Sequence, residues 1–336
     1  MTRYTGIREA LRAVVKESVW LAVRYEPGDL ADIALFCSRR GGSTWLMEIV
    51  SANRGVLPLN QPIEAFTPNL TPYQFSRLPK FDRGEIIHPD AEEEREFKAY
   101  TDELFAGRMR VNAPHAPWQD GFSLRANRLA LKIVSAKAMM DWFDANYRLQ
   151  IVYLVRHPIP QSMSCLRLGW GTSTKAFLRN EWFVEEVIGD PAAAAFAWRT
   201  ADHGTGLERL VLNWALENLY PLRVLPDRPH WLALSYEEIL TDQERVLTDL
   251  RQRLALQDVD RMRRAARTAS RSSELSTDGT VSAIAEGDRP RLVGGWLGKV
   301  EPDQQRATAT ILDVFGITLY SPDSPMPNWS GCRATP

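Results

Sequence analysis

The alternation of apolar runs and helical periodicity along the chain predicts its fold class. The segments between the apolar runs repeat apolar residues at helical spacing, as at 137–147 and 242–254. The apolar runs themselves are short and rich in β-forming residues, and they lie at 33–37, 129–134, 149–155 and 231–235. Strands that alternate with helices form a parallel sheet covered by helices on both faces. The sequence therefore predicts one α/β domain over residues 1–336, with ligand-binding residues at the carboxyl ends of strands.

Three stretches depart from this pattern. Residues 56–66 are interpreted as irregular, because proline and polar residues interrupt the apolar positions. Residues 66–128 are rich in proline and charge, with one helical piece at 90–104, and predict a long insertion that serves as a lid or an acceptor-binding segment. Residues 261–288 are first basic and then rich in Ser and Thr, which predicts a segment that is mobile without ligand.

The loop that follows the first apolar run has the composition of an anion-binding site. Gly41 and Gly42 carry no Cβ that would obstruct an anion. Ser43 and Thr44 add hydroxyl donors at the opening of a helix, where backbone N–H groups are unpaired and the helix dipole is positive. A phosphate site is therefore predicted here. The alternative is a strand-to-helix turn in which the same residues only cap the helix.

The cations of this loop separate it from the Walker A loop. Arg39 and Arg40 precede the two glycines. A Walker A loop instead places a lysine after its second glycine, followed by a hydroxyl that binds Mg²⁺. The order of residues therefore favours a phosphate site of another class.

Composition narrows the function classes. The chain has 336 residues, 44% of them apolar, and a formal net charge of −1, so an ordinary globular protein is expected and nucleic acid is not a favoured partner. Three widely spaced cysteines indicate neither a disulfide framework nor a zinc cluster. No apolar run approaches membrane-spanning length, so no transmembrane segment and a cytoplasmic location are expected.

Two strand-end motifs together resemble those of sulfotransferases that use 3′-phosphoadenosine 5′-phosphosulfate (PAPS). The first is the order Arg-x-Gly-Ser-Thr-Trp-Leu over residues 40–46. The second is Arg156 at the end of an apolar run, with Ser164 eight positions later. A guanidinium fork and a hydroxyl at this spacing suit a dianionic phosphate. The resemblance implies that PAPS is bound through its 5′ and 3′ groups by these residues: Arg39, Arg40, Gly41, Gly42, Ser43, Thr44, Trp45, Arg156 and Ser164.

The chain departs from the family pattern at two places. His157 stands where the family usually has an aspartate, whose role in the resemblance is chiefly structural. Near the C-terminus, Arg289 stands seven positions before Trp296 and Gly294 two before it, which resembles the loop that closes over the 3′-phosphate. Arg291 occupies the first-glycine position of that loop. The resemblance implies Arg289 and Gly294 as cofactor-binding residues, and it leaves open which arginine reaches the phosphate.

The resemblance also implies the catalytic residues. Glu64 lies in a Pro-x-Glu-x-Phe element like the one that carries the catalytic base in several bacterial sulfotransferases, and burial beside Phe66 is expected to raise its pKa. Arg40 would neutralise charge on the leaving 5′-phosphate. No histidine stands near residues 134–135, where cytosolic sulfotransferases carry one. The alternative bases are His88 and His115 in the insertion.

The function that the resemblance implies is in-line transfer of a sulfuryl group from PAPS to an acceptor hydroxyl or amine, without a metal ion. The acceptor would be a small molecule, a glycan or a glycolipid, and its identity and the oligomeric state are left open. Two other classes also stay open. A small-molecule kinase of the P-loop class would need the Walker lysine and Mg²⁺, and a non-catalytic nucleotide-binding protein would keep only the fold.

Overall fold

A five-stranded parallel sheet forms the centre of the computed structural model, which describes residues 14–15, 18–19, 21–64, 77–79, 85–109, 111 and 114–332. Its strands run in the order β3-β5-β2-β6-β7, and every neighbouring pair is parallel. A separate two-stranded parallel sheet pairs β1 with β4. The strands are β1 (Arg24–Tyr25), β2 (Asp32–Cys37), β3 (Val56–Asn60), β4 (Arg125–Ala126), β5 (Arg128–Ile133), β6 (Leu149–Val155) and β7 (Leu232–Ser235).

Helices cover both faces of the five-stranded sheet. Those with described bounds are α1 (Ser43–Ser51), α2 (Ala91–Phe105), α3 (Met140–Asn146), α4 (Pro158–Arg167), α5 (Thr174–Arg179), α6 (Pro191–His203), α7 (Gly206–Val224), α8 (Tyr236–Thr241), α9 (Gln243–Arg253), α10 (Val259–Arg267), α11 (Asp278–Glu286), α12 (Arg289–Gly294) and α13 (Pro302–Val314). Short 3₁₀ turns occur at Lys137–Met139, Leu225–Asp227, Arg271–Leu275 and Leu297–Lys299, and a π-helical turn occurs at Phe183–Ile188.

The alternation of side chains along β2 explains why the sheet is buried on both sides. Ala34 and Phe36 point into one apolar cluster, which α7 and α13 complete. Ile33 and Leu35 point into the other, which α1, α9 and α10 complete. Successive side chains of a strand face opposite sides, so a strand that is apolar at every position after its first residue, Asp32, must be covered on both faces. The predicted α/β fold with helices on both faces is thus confirmed.

The interpretation of residues 56–66 as irregular was wrong for their first five positions. Val56–Asn60 forms β3, which among the described strands pairs with β5 alone and is therefore the edge strand of that sheet. Proline has no N–H to give to a sheet and is tolerated in strands mainly at such edges. Pro58 made the segment look like a loop, whereas its position at the edge allows a strand.

The two unusual segments both contain regular structure. The predicted insertion carries α2, and Ile86 N–H donates to Ser135 O at 2.8 Å, which fixes this part of the insertion beside the end of β5. Residues 261–288 carry most of α10, a 3₁₀ turn and α11. The mobility of that segment without ligand stays a prediction, as does the assignment of 1–336 to one domain. Within the described residues, no helix is both long and apolar enough to cross a bilayer.

Candidate functional site

The loop between β2 and α1 forms a cradle in front of the first turn of the helix. Gly42 is the N-cap of α1 and has φ +91°, a left-handed conformation that glycine adopts without strain. A Cβ on Gly42 would lie 2.5 Å from Cδ2 of Tyr236, so the ring also requires glycine here. The helix has neither a side-chain cap nor an acidic residue in its first turn. Its positive end therefore faces the cradle without a competing carboxylate of its own.

The side chain of Arg40 crosses from the loop to two other elements. Its Nε donates to Ser164 Oγ at 3.0 Å, which joins two residues that the sequence analysis assigned to different phosphates. Nη1 donates to Ser272 O and Nη2 to Ser276 Oγ, both at 3.1 Å. Arg40 has φ +61°, which is uncommon for a residue other than glycine. The guanidinium thus lies between α4 and the 3₁₀ turn at Arg271–Leu275.

Arg156 lies directly after β6 and points toward the same loop. Its Nη1 donates to Arg40 O at 3.0 Å, and its guanidinium carbon lies 4.3 Å from the centre of the Tyr236 ring. The Nε atom is buried and has no hydrogen-bond partner in the described part of the chain. Buried N–H groups in folded proteins nearly always have a hydrogen-bond partner, because an unpaired one lowers the stability of the fold. This N–H is therefore available to an anionic ligand.

His157, which stands where the family usually has an aspartate, lies at the turn between β6 and α4. Its Nδ1 accepts a hydrogen bond from Ile159 N at 3.2 Å and so caps α4, and its Nε2 lies 3.0 Å from Ser321 O. The side chain is fully buried, and burial lowers the pKa of His157 to about 4. A neutral imidazole protonated at Nε2 satisfies both contacts. This histidine thus holds the strand-to-helix turn that carries Arg156.

Glu64 lies in a buried position beside the end of β5. Its side chain is 4% exposed, and Oε1 accepts a hydrogen bond from Val134 N at 2.5 Å. The other oxygen, Oε2, is buried and has no hydrogen-bond partner among the residues that the structure describes. Burial raises the pKa of Glu64 to about 7, although the bond from Val134 and the charge of Lys132 act in the opposite direction. Phe66, which was expected to contribute to this burial, lies outside the described residues.

The alternative bases occupy other surroundings. His115 is buried, and its Nε2 lies 2.8 Å from Ser123 O and 3.3 Å from Ser123 N. His88 is exposed and stacks on the ring of Trp182, with 4.7 Å between the ring centres. Glu64 contacts Val134, which borders the cavity beside the loop, whereas neither histidine borders that cavity.

Two residues that the sequence analysis did not assign to the site also contact the loop. Lys132 Nζ donates to Thr44 Oγ1 at 3.1 Å, and burial lowers the pKa of this lysine. Tyr236 packs on Gly42 and Arg156 and lies edge-on to Trp45. A lysine inside an apolar strand was a usable signal, because buried lysines are rare unless paired. The role of Tyr236 depends on tertiary contacts that no sequence pattern encodes.

A cavity of about 1040 Å³ opens in front of these residues. Among the described residues that line it, ten are Arg or Lys and one, Glu286, is acidic. Both Arg289 and Arg291 border it, so the choice between them stays open. Such an excess of cations in one cleft attracts a ligand that carries several negative charges. The sequence-assigned residues that line the cavity are Arg39, Arg40, Gly42, Ser43, Thr44, Trp45, Arg156, Ser164 and Arg289, whereas Gly41, Glu64 and Gly294 do not.

Comparison with known proteins finds similar solved structures, but no protein-family model and no curated protein matches the chain. Among solved structures, the chain is similar to the sulfotransferase domain from the Synechococcus PCC 7002 olefin synthase, with 18% identity and a TM-score of 0.45 over 87% of this chain and 98% of that domain. It is also similar to mouse sulfotransferase SULT7A1 complexed with PAP, with 15% identity and a TM-score of 0.40 over 86% of this chain and 84% of that chain. A third similar structure is retinol dehydratase in complex with androsterone and inactive cofactor PAP, with 12% identity and a TM-score of 0.32 over 84% of this chain and 80% of that chain. At such identities these matches describe a similarity of fold and assign no role to any residue of this chain.

Proposed function

We propose that this protein transfers a sulfuryl group from PAPS to an acceptor hydroxyl or amine. The observation that supports this most strongly is the pairing of two anion-binding places with a buried carboxyl. The loop before α1 is one place, and Arg156, whose Nε has no partner within the described ranges, is the other. Glu64, whose pKa is raised to about 7, lies at the neighbouring strand end.

The described residues fit a nucleotide with phosphates at two positions. The cradle at Gly42 faces the positive end of α1, which suits the 5′ group. Arg156 Nε and the hydroxyl of Ser164 are proposed to hold the 3′-phosphate, and the cationic cavity wall supports a ligand of high negative charge. Bound there, PAPS would supply the sulfuryl group, with its 5′-phosphate as the leaving group.

Glu64 is proposed to remove the proton of the acceptor. A base works best when its pKa lies near the working pH, and the pKa of about 7 meets that condition. Among the described residues none donates a hydrogen bond to Oε2, and this oxygen is the one proposed to take the acceptor proton. Oε1 is held by Val134 N, which fixes the carboxyl against the end of β5.

Arg40 and Lys132 are proposed to stabilise negative charge as it grows on the leaving 5′-phosphate. Lys132 already contacts the loop through Thr44. Arg40 would exchange its bonds with Ser272 and Ser276 for the leaving oxygens. Neither cation needs to give up a proton, so their contribution is electrostatic.

The experiment that tests this function supplies ³⁵S-labelled PAPS and screens hydroxyl- and amine-bearing acceptors for labelled product. The proposal predicts acceptor-dependent transfer that does not require a divalent cation, and a Glu64→Gln variant as the matched control should lose most of it. Transfer of phosphate from ATP with Mg²⁺ would support a kinase instead. Tight nucleotide binding without transfer to any acceptor class would favour a non-catalytic binding protein.

A further inference from the structure

A buried ion pair lies next to the loop between β2 and α1, residues 38–42, which is called the anion loop below. Lys137 Nζ and Glu217 Oε2 are 2.7 Å apart, and their side chains are only 3% and 5% exposed. Lys137 begins the 3₁₀ turn that follows β5, and Glu217 lies on α7. Neither residue lines the cavity, so the mechanism above does not use either of them.

The third member of this cluster belongs to the loop itself. Lys137 Nζ donates to Ser38 Oγ at 2.5 Å, and Ser38 is the first residue after β2. The backbone oxygen of Ser38 accepts the N–H of Gly41 at 3.1 Å, which closes the turn of the loop. The side chain and the backbone of one buried residue thus connect the ion pair to the cradle.

The surroundings keep Glu217 charged and fixed. Burial opposes the charge, but Lys137, Arg39 and the hydrogen bonds from Lys137 and Ser38 outweigh it and hold the pKa of this carboxyl below its usual value. Asn213, one turn earlier on α7, donates to Glu217 Oε1 at 2.5 Å. The carboxyl therefore has partners on both oxygens and a single orientation.

Stability alone gives a weak reason for such a pair. The loss of hydration when two charges are buried offsets most of their attraction, and well-packed apolar residues often serve a fold equally well. This buried pair also donates a hydrogen bond to Ser38, the first residue of the anion loop, and can therefore hold the loop in place as well as stabilise the fold. It can fix that residue where an apolar pair could not, because the ammonium donates to Ser38 Oγ at 2.5 Å, whereas the second donor to this hydroxyl, Asn218 Nδ2, lies 3.5 Å away.

We propose that Lys137 and Glu217 are positioning residues for the anion loop, acting through the hydroxyl of Ser38. Glu217 fixes the position of the Lys137 ammonium, and the ammonium fixes the side chain of Ser38 through its hydroxyl. The backbone oxygen of Ser38 in turn closes the turn that presents the cradle at Gly42. This inference rests on the proposed function only in taking the loop as a phosphate site.

The test separates positioning from stability by comparing four variants with wild type. Lys137→Met leaves Glu217 buried without its partner and should lose both stability and affinity. The double variant Lys137→Met/Glu217→Leu removes both charges and should recover most of the stability. Ser38→Ala leaves the ion pair intact. Thr101→Val serves as the matched control, since it removes a buried hydroxyl whose partners are in the insertion and on Tyr147.

Two quantities are measured for each protein, the urea midpoint and the dissociation constant for 3′-phosphoadenosine 5′-phosphate (PAP) by calorimetry. We expect the double variant and Ser38→Ala to bind PAP at least tenfold more weakly than wild type with urea midpoints near wild type. Thr101→Val should bind PAP as wild type does. Wild-type affinity in either the double variant or Ser38→Ala would overturn the inference and leave a purely structural ion pair.

The same proteins distinguish failure of this inference from failure of the proposed function. If wild type binds ATP but not PAP, the sulfotransferase proposal fails, and the variants are then compared with ATP as the probe. A loss of ATP affinity in the double variant and in Ser38→Ala would still support the positioning role. Wild type that binds neither nucleotide would overturn the inference, because no anion would then be held by the loop.

Discussion

Replacing Glu64 by glutamine should change how the stability of the protein depends on pH. The pKa of this carboxyl rises from its ordinary value of 4.5 to about 7 in the fold, mainly because of burial. A carboxyl with a raised pKa binds its proton more tightly in the folded state. The stability that it contributes is present below pH 4.5 and is lost as the pH rises through 7.

The size of this loss follows from the two pKa values. The interval between 4.5 and about 7 corresponds to about 3 kcal/mol, at 1.36 kcal/mol for each pKa unit. Glutamine keeps the size of the side chain and can still accept the bond from Val134, but it does not ionise. The stability of wild type relative to Glu64→Gln should therefore fall by up to about 3 kcal/mol between pH 5 and pH 9.

Urea unfolding of both proteins at pH 5, 6, 7, 8 and 9 measures this difference without any knowledge of the acceptor. Glu85, whose pKa is raised to about 8 by burial and by the charge of Glu217, is present in both proteins, so subtraction isolates Glu64. With an acceptor in hand, the variant should also turn over roughly 10²–10⁴-fold more slowly while it binds PAP normally. Parallel stability curves from pH 5 to pH 9 would refute the reasoning, since Glu64 would then not ionise near neutral pH.

Three further substitutions probe the cofactor site. Arg156→Ala should weaken PAP binding by roughly 10- to 150-fold, from the loss of a charge-assisted bond of about 1.5–3 kcal/mol, and should leave adenosine 5′-phosphate binding unchanged in calorimetry. Arg40→Ala should lower kcat more than it raises the KM for PAPS in steady-state assays, because charge on the leaving phosphate grows only during the reaction; an unchanged kcat would argue against it. Gly42→Ala should destabilise the fold in urea by roughly 1–3 kcal/mol and weaken PAP binding, since the new Cβ would meet Tyr236 and φ is +91°. Gly316→Ala, where φ is +64° and nothing lies within 4 Å of a Cβ, is its matched control and should not affect binding.

The sheet and its ligand-bearing ends could be predicted because the signals are local. The strand β6 has the bounds 149–155 that its apolar run predicts, and the five consecutive apolar residues after Gln150 already indicate burial on both faces. The loop before α1 was recognisable from glycines and hydroxyls at a strand-to-helix junction. The cap that His157 places on Ile159 was not predicted, because the sequence showed this histidine only as a departure from the family pattern.

The features that the sequence did not predict depend on distant neighbours. Pro58 led to the interpretation of β3 as irregular. Proline is tolerated in an edge strand, but the position of β3 at the edge follows from the strand order and not from the local sequence. Lys137 and Glu217 are 80 residues apart in the chain, and nothing in either local sequence indicates their buried pair. Tyr236 meets Gly42 through the packing of α8 against the loop. Such contacts are fixed by tertiary packing, which periodicity and motif spacing do not encode.

The central claim is that one site binds a nucleotide through a 5′ group at the loop and a 3′-phosphate at Arg156. Calorimetric titration of wild type with PAP and with adenosine 5′-phosphate, both without divalent cations, tests this most directly. The account predicts that PAP binds at least roughly tenfold more tightly, because the 3′-phosphate adds charge-assisted bonds to the guanidinium. Equal affinity for the two nucleotides would contradict it.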